Sequence, residues 1–310
     1  MRVIGIDIGG SSIKGGIVEF NELDNPVIVE KISLSNNERT FNEVKYNVIE
    51  IIKRLRTLDE TITRVGISTT GSVTKNALVR NAGLFSEYRN ICWDEIIAKE
   101  ISPEIKSWTI NDGQAFTLAE YELLNPKPIS LANFVVGTGI GGGLILYDKI
   151  WTGNTGTSGA FGHIKIADHS DVICSCRKQG CVEAFASARA IEFLWNKSGR
   201  NNTFNDIAKL ATSGNLAAIN LIMQAGKALG IGIANVISIF EPEVIVIGGG
   251  VITALENNGS NIYFSEAVKS AQGNVFLRVG KETQFIKSTN PLNGGILGAA
   301  ISVEKRGFLF

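Results

Sequence analysis

Apolar and polar positions come in blocks along this chain, and glycine-rich turns separate them. The N-terminus reads as a strand (RVIGID), a polar turn at Gly9-Gly10-Ser11-Ser12, and a second strand (IKGGIVEF). Phe41, Val44, Val48, Ile51, Ile52 and Leu55 recur at helical spacing, which predicts an amphipathic helix over 41–56. TRVGIS and IKSWTI read as short strands, and the second runs into Asn111-Asp112 and a helical stretch, GQAFTLAEYELL. Asn125-Pro126 predicts the end of that helix, with NPKPIS as a linker. FVVGT and GGLILYDK then repeat the strand–turn–strand unit. Residues 187–240 read as helical, and EVIVIG leads into Gly248-Gly249-Gly250. A helix, a short strand (TQFIKS) and a closing helix from about 293 finish the chain.

This mixed order predicts an α/β fold with sites at strand ends. The two similar glycine hairpins suggest two lobes facing a shared cleft. Of 310 residues, 44% are apolar, enough for a sizeable core. Lys+Arg and Asp+Glu both number 30, so no basic excess points to nucleic acid. The apolar run at the N-terminus meets Asp7 too soon for a signal peptide, and no uninterrupted apolar stretch approaches a membrane span. With few cysteines, this predicts a cytoplasmic protein that binds no membrane.

Glycine lets backbone N–H groups converge on an anion, so three glycine-rich turns after strands favour nucleotide binding over plain tight turns. Gly137, Gly139 and Gly142 satisfy G-x-G-x-x-G, but a strand follows where the dinucleotide fingerprint needs a helix. No P-loop motif occurs either. What remains is a pair of β-hairpin phosphate clamps.

Residues 156–185 hold three of the four cysteines and both histidines. His163, Cys174, Cys176 and Cys181 give H-x10-C-x-C-x4-C, thiolate and imidazole donors of the kind structural Zn²⁺ takes, with buried thiols or a redox pair as the rival readings. His169 sits among Asp168, Ser170 and Asp171 and reads as a solvated loop residue, and Cys92, beside Trp93, as core. On composition alone, Asn111-Asp112 before a helix is an N-cap.

DIGGSSIKGG, GTGIGGG and the GGG after EVIVI resemble the phosphate and adenosine segments of the actin-like ATPase (ribonuclease H-like) fold of sugar kinases, two lobes with a cleft between them. INDGQA, GxxGxxGH and CxCxxxGCxE are similar to the ROK family within it, and the resemblance runs in order from Asp7 to GGILGAA near residue 300. The expected division is an N-terminal lobe over 1–120, completed by a helix over 295–310, and a larger lobe over 121–294 carrying the Cys/His segment.

The resemblance implies a cytoplasmic kinase, commonly homodimeric, that moves the γ-phosphoryl group of ATP to the 6-hydroxyl of a hexose or N-acetylhexosamine, glucose or N-acetylmannosamine foremost. Asp112 would be the base, and Asn111, His163 and Glu183 would hold the sugar. Asp7, Gly9, Gly10, Ser11, Ser12, Lys14, Gly137, Thr138, Gly139, Gly249 and Gly250 would hold ATP and Mg²⁺. His163, Cys174, Cys176 and Cys181 would bind a structural zinc. The chain departs from the family pattern at three places. Arg177 replaces a motif glycine, Thr70 stands where a proline usually precedes Gly71, and Ala160 replaces a sugar-binding glutamate. The last departure keeps open a β-glucoside kinase or a non-catalytic sugar sensor. A DNA-binding repressor of the same family is disfavoured, because the chain opens directly on the first phosphate strand.

Overall fold

Residues Arg2–Ile8 form β1, with Val3, Ile4, Ile6 and Ile8 buried, and Ser12–Phe20 return antiparallel as β2. The computed structural model describes all residues except 22–24, 83–84, 277–281, 291 and 306–310. β3 (Pro26–Ser35) pairs antiparallel with β2. The sequence pattern did not single it out, because its side chains are mostly exposed and its apolar run Pro26–Val29 does not alternate. Helix α1 (Phe41–Leu58) starts at Thr40, whose hydroxyl accepts the Glu43 N–H, and buries Val44, Val48, Ile51, Ile52 and Leu55. The chain then forms β4 (Arg64–Thr69), the small hairpin β5 (Ser72–Val73) and β6 (Val79–Asn81), α2 (Trp93–Glu100), β7 (Lys106–Asn111) and α3 (Asp112–Leu123).

Strands β8 (Ser130–Val136), β9 (Ile140–Leu146) and β10 (Lys149–Ile150) follow. NPKPIS is therefore shorter as a linker than expected, since Ser130 already opens a strand. A single turn of 3₁₀ helix, Phe161–His163, precedes α4 (Glu183–Ala186), α5 (Ala188–Asn196), α6 (Phe204–Thr212) and α7 (Leu216–Phe240). The helical span expected over 187–240 is thus three helices, broken where Ser187, Thr203 and Asn215 cap new starts. β11 (Val244–Gly248), α8 (Gly250–Asn257), α9 (Ile262–Asn274), β12 (Gln284–Lys287) and α10 (Gly294–Glu304) complete the order. Residues 306–310 of the expected closing helix lie outside the described residues.

The chain divides into two compact units: Met1–Lys127 with Gly143–Gly159 and Leu292–Phe310, and Pro128–Gly142 with Ala160–Pro291. In the first unit the sheet order is β3-β2-β1-β4-β7, with β1, β4 and β7 parallel. α10 lies close on this sheet, and two glycines permit it. A side chain at Gly5 would meet the Ile296 carbonyl at 2.1 Å, and one at Gly66 the Ala299 carbonyl at 1.8 Å. Trp93 is fully buried against Tyr88 and Phe41, whereas its neighbour Cys92, expected in the core, is only half-buried at the start of α2.

A second sheet has the order β10-β9-β8-β11-β12, with β8, β11 and β12 parallel. In the second unit α7 packs along α9 and buries Ile222, Leu229, Ile233 and Ile237. By length and composition α7 could cross a membrane, but this packing accounts for its apolarity equally well.

Candidate active site

In the first unit, three parallel strands end side by side. Ile8 stands opposite Thr69, and Thr69 opposite Asn111. Their carboxyl ends carry Asp7, Thr69-Thr70-Gly71 and Asn111-Asp112, the edge at which open α/β sheets bind ligands. The Asn111 side-chain oxygen accepts the Gln114 N–H at 3.2 Å, so Asn111 is the cap of α3 that composition suggests. Its amide nitrogen also donates to the Gly71 carbonyl and to Asp112 Oδ1, each at 2.9 Å. Gly113 N–H donates to the same Oδ1 at 2.8 Å, so these bonds fix Asp112 through one oxygen.

Withdrawal from water pushes the Asp112 carboxyl up to about 6. The Gly113 N–H opposes this, and the nearby Asp7 charge adds to it. Asp7 is also raised by burial, against a bond from Ser68 Oγ at 3.1 Å and the charges of Lys14 and Lys31. Lys14 stands directly opposite Asp7 on β2. The first turn of α10 closes on Asp7 as well: a side chain at Gly295 would lie 2.3 Å from its carboxyl carbon. A helix N-terminus there favours the ionised form.

Three supporting residues escaped the sequence reading. Ser68 is one; only the register that sets it opposite Asp7 could have shown it. Asn36 is buried beside the first glycine turn, donating its N–H to the Ser11 carbonyl at 3.0 Å and its amide to the Gly9 carbonyl at 3.4 Å. Gln114, two residues after Asp112, donates to the carbonyls of Gly156 (3.2 Å) and Ser158 (3.0 Å) and holds the loop that leads to Ala160.

The second unit brings together the other glycine segments. β8 and β11 are parallel, with Gly248 opposite Val135, so the turns at Gly137 and Gly249-Gly250 leave adjacent strand ends. Gly249 has φ +95° and precedes α8, whose first N–H groups are free of intrahelical partners. Phe161 stacks on Phe134 at 4.9 Å and positions the 3₁₀ turn that ends at His163. Ala160, at the head of this turn, is exposed.

His163, Cys174, Cys176 and Cys181 converge, their donor atoms all within 4.8 Å of one another. Cys176 and Cys181 sulfurs are 3.7 Å apart, close to the edge of about 3.8 Å that a tetrahedron of Zn–S bonds requires. His163 Nδ1 faces Cys174 Sγ at 3.2 Å, which leaves Nε2 directed elsewhere. Three thiols and an imidazole in this geometry fit a structural zinc ion. Arg177 adopts the left-handed φ of +67° that a glycine would take without cost, so the turn survives the substitution at about 1–2 kcal/mol. His169 stands apart and contacts Gln179. Glu183 is buried, its carboxylate accepting the N–H of Ile140 (3.1 Å) and of Ser175 (2.9 Å).

The repeated sheet order and the ligand edges at parallel strand ends define the actin-like ATPase class of α/β proteins. A ROK hexokinase from Thermus thermophilus shares the fold with TM-score 0.83 at 24% identity, covering 99% of each chain. A ROK family transcriptional regulator, a homologue of the E. coli MLC protein, shares it at TM-score 0.82 and 21% identity, with 98% of this chain and 78% of that one covered. The chain belongs to the ROK family, whose profile matches residues 3–306. Among curated proteins it is 26% identical to the glucokinase of Thermotoga maritima over 99% of this chain and 98% of that one. It is 30% identical to the N-acetylmannosamine kinase of Haemophilus influenzae over 81% of each.

Proposed function

We propose that this chain is an ATP-dependent kinase that phosphorylates the 6-hydroxyl of a hexose or N-acetylhexosamine, with glucose and N-acetylmannosamine the first candidates. The observation that carries this reading is Asp112. It is a carboxylate at a strand end, held through one oxygen and raised to about 6, so it is ionised yet basic at neutral pH. The sugar hydroxyl oxygen attacks the γ-phosphorus as Asp112 Oδ2 takes its proton. The bond to the β–γ bridging oxygen breaks, and ADP leaves with the electron pair. Phosphoryl transfer asks the protein mainly for positioning and charge stabilisation.

Asp7 would hold Mg²⁺ through its hard oxygen donors, and Gly9–Ser12, Lys14, Gly137–Gly139 and Gly249-Gly250 would address the nucleotide. Asn111 orients the base and, with His163 and Glu183, would contact the sugar. His163, Cys174, Cys176 and Cys181 would hold a zinc ion that would supply no chemistry to the transfer and would fix the loop that presents His163. A homodimer in the cytoplasm belongs to the same reading.

Ala160 favours a second reading, because a methyl group cannot accept the hydroxyl bonds that a carboxylate would. The missing charge-assisted bond is worth about 1.5–3 kcal/mol. The site would then accept a bulkier sugar, such as a β-glucoside, or would bind a sugar without turning it over. ADP release measured with glucose, N-acetylmannosamine, N-acetylglucosamine, fructose and a β-glucoside tests this. Stimulation by one sugar supports the kinase, whereas a sugar that binds while none stimulates turnover sinks it. Ala160→Glu should tighten glucose binding about 10- to 100-fold, and no gain would remove Ala160 from the sugar site.

A further inference from the structure

We propose that Glu183 couples the metal loop to the nucleotide turn, so that a metal at His163, Cys174, Cys176 and Cys181 and a nucleotide at Gly137–Gly143 bind cooperatively. This rests on the nucleotide role proposed above for that turn.

Glu183 lies two residues after Cys181, and its side chain is 4% exposed. Its two carboxylate oxygens serve different segments. Oε2 accepts the Ile140 N–H at 3.1 Å and lies so near the turn that a side chain at Gly139 would stand 2.7 Å from it. Oε1 accepts the N–H of Ser175, the residue between two of the sulfur ligands, at 2.9 Å, and lies 3.3 Å from Cys174 Sγ. Arg189 reaches Oε1 at 3.3 Å and the Ile173 carbonyl at 3.1 Å, so one guanidinium secures both the carboxylate and the start of the cysteine loop. From the next helix, Ala188 N–H donates to the Gly137 carbonyl at 2.9 Å.

A buried carboxylate cannot give up either backbone donor without stranding a polar group. Metal binding fixes Cys174 and Cys176, hence the Ser175 N–H, hence the rotamer of Glu183. That rotamer decides whether the Ile140 N–H is held inside the turn or released. A turn already held in one conformation needs less ordering when phosphate binds, which is a coupling free energy between two distinct sites. Glu183 is then a positioning residue for the nucleotide through the turn. By reciprocity, the nucleotide must tighten the metal by the same factor.

Competitive titration of Zn²⁺ against a chromophoric chelator, with and without saturating Mg-ADP, tests this in the full chain. The wild type is expected to hold Zn²⁺ about 10-fold more tightly with the nucleotide present. In Glu183→Gln, which loses an acceptor for one of the two backbone donors, both ligands should still bind while the factor falls below about 2. Equal zinc affinity with and without Mg-ADP in the wild type would overturn the proposal, as would an undiminished factor in Glu183→Gln. Failure of the metal-loaded wild type to bind Mg-ADP at all overturns the nucleotide site and the coupling together. Binding without coupling overturns only the coupling. Should Glu183→Gln not fold, the wild-type pair of titrations still decides, and Arg189→Met, which removes one donor from Oε1, is expected to shrink the factor.

Discussion

The first sheet runs β3-β2-β1-β4-β7 and the second β10-β9-β8-β11-β12, so β1 corresponds to β8, β4 to β11 and β7 to β12. In both sheets these three strands are parallel. What the ends carry differs. The first sheet ends in Asp7 and in Asn111-Asp112, whereas the equivalent ends of the second carry Gly137-Thr138-Gly139, Gly249-Gly250 and Ser288, and the carboxylate beside them, Glu183, comes from outside the sheet and is already bonded to the Ile140 N–H. Two carboxylates drawn partly out of water repel an anion unless a cation intervenes, while glycine turns offer it N–H groups. One strand plan, used twice, thus yields an end that carries carboxylates and an end that carries glycine turns; under the proposed function the first accepts a proton and the second an anion. The teaching of the comparison is that topology fixes where chemistry can happen and side chains decide which chemistry it is.

Removing the carboxylate should give the largest effect. Asp112→Asn keeps an oxygen that can accept from Asn111 and Gly113, so it changes charge and leaves geometry alone. Turnover is expected to fall about 10²–10⁴-fold in steady-state kinetics with sugar binding retained. In the wild type, kcat/KM should drop about tenfold per pH unit below about 6, because the base must be ionised. Stability should move the opposite way. A carboxyl whose folded pKa lies near 6, against about 3.9 unfolded, stabilises the fold only while protonated, and that contribution is lost as pH rises between these values. Above pH 6 the asparagine variant should therefore be more stable to denaturant, by up to about 2–3 kcal/mol. A variant that is inactive and also less stable would show that Asp112 holds the structure together instead of serving as a strained functional group.

The corresponding test of the second unit removes a metal ligand. Cys174→Ser should weaken zinc more than about 100-fold, measured by chelator competition, and lower the melting temperature, because metal binding here is also loop ordering. Asp112 in the first unit should keep its titration near 6, read from the pH dependence of whatever turnover remains. If Cys174→Ser loses no zinc and melts like the wild type, the four donors are packing residues and the comparison loses its metal-bearing half.

Much of this was legible in the chain because the signals were local. Asp7, the glycine turns and the Cys/His spacing declare themselves within a few residues, and so does the cap at Asn111. The pairing of Ser68 with Asp7 was hidden, since it depends on which strands become neighbours. β3 was hidden for a different reason: its exposed side chains blunt the alternation by which strands are read. Glu183 is named only through the resemblance, and its two backbone partners, at positions 140 and 175, are invisible until the chain folds. The expected metal histidine was separable from His169 by its company of charged neighbours, and the structure puts His169 outside the four-donor cluster.

The smallest expected effect separates two helix starts. Gly295 lies in the first turn of α10 and Gly250 opens α8, so each begins a helix that approaches a ligand edge. Alanine is the better helix former by up to about 1 kcal/mol, and on propensity alone both substitutions should help slightly. Packing overrides this at one position only. A side chain at Gly295 would meet the Asp7 carboxyl carbon at 2.3 Å, whereas one at Gly250 meets nothing within 4 Å. Gly295→Ala should therefore cost about 1–3 kcal/mol in denaturant unfolding and lower turnover, because Asp7 must move aside. Gly250→Ala should stay within about 0.5 kcal/mol of the wild type. Equal losses at the two glycines would mean that the second sheet also packs a helix directly onto its ligand edge, and the contrast between a crowded acidic end and an open glycine end would fail.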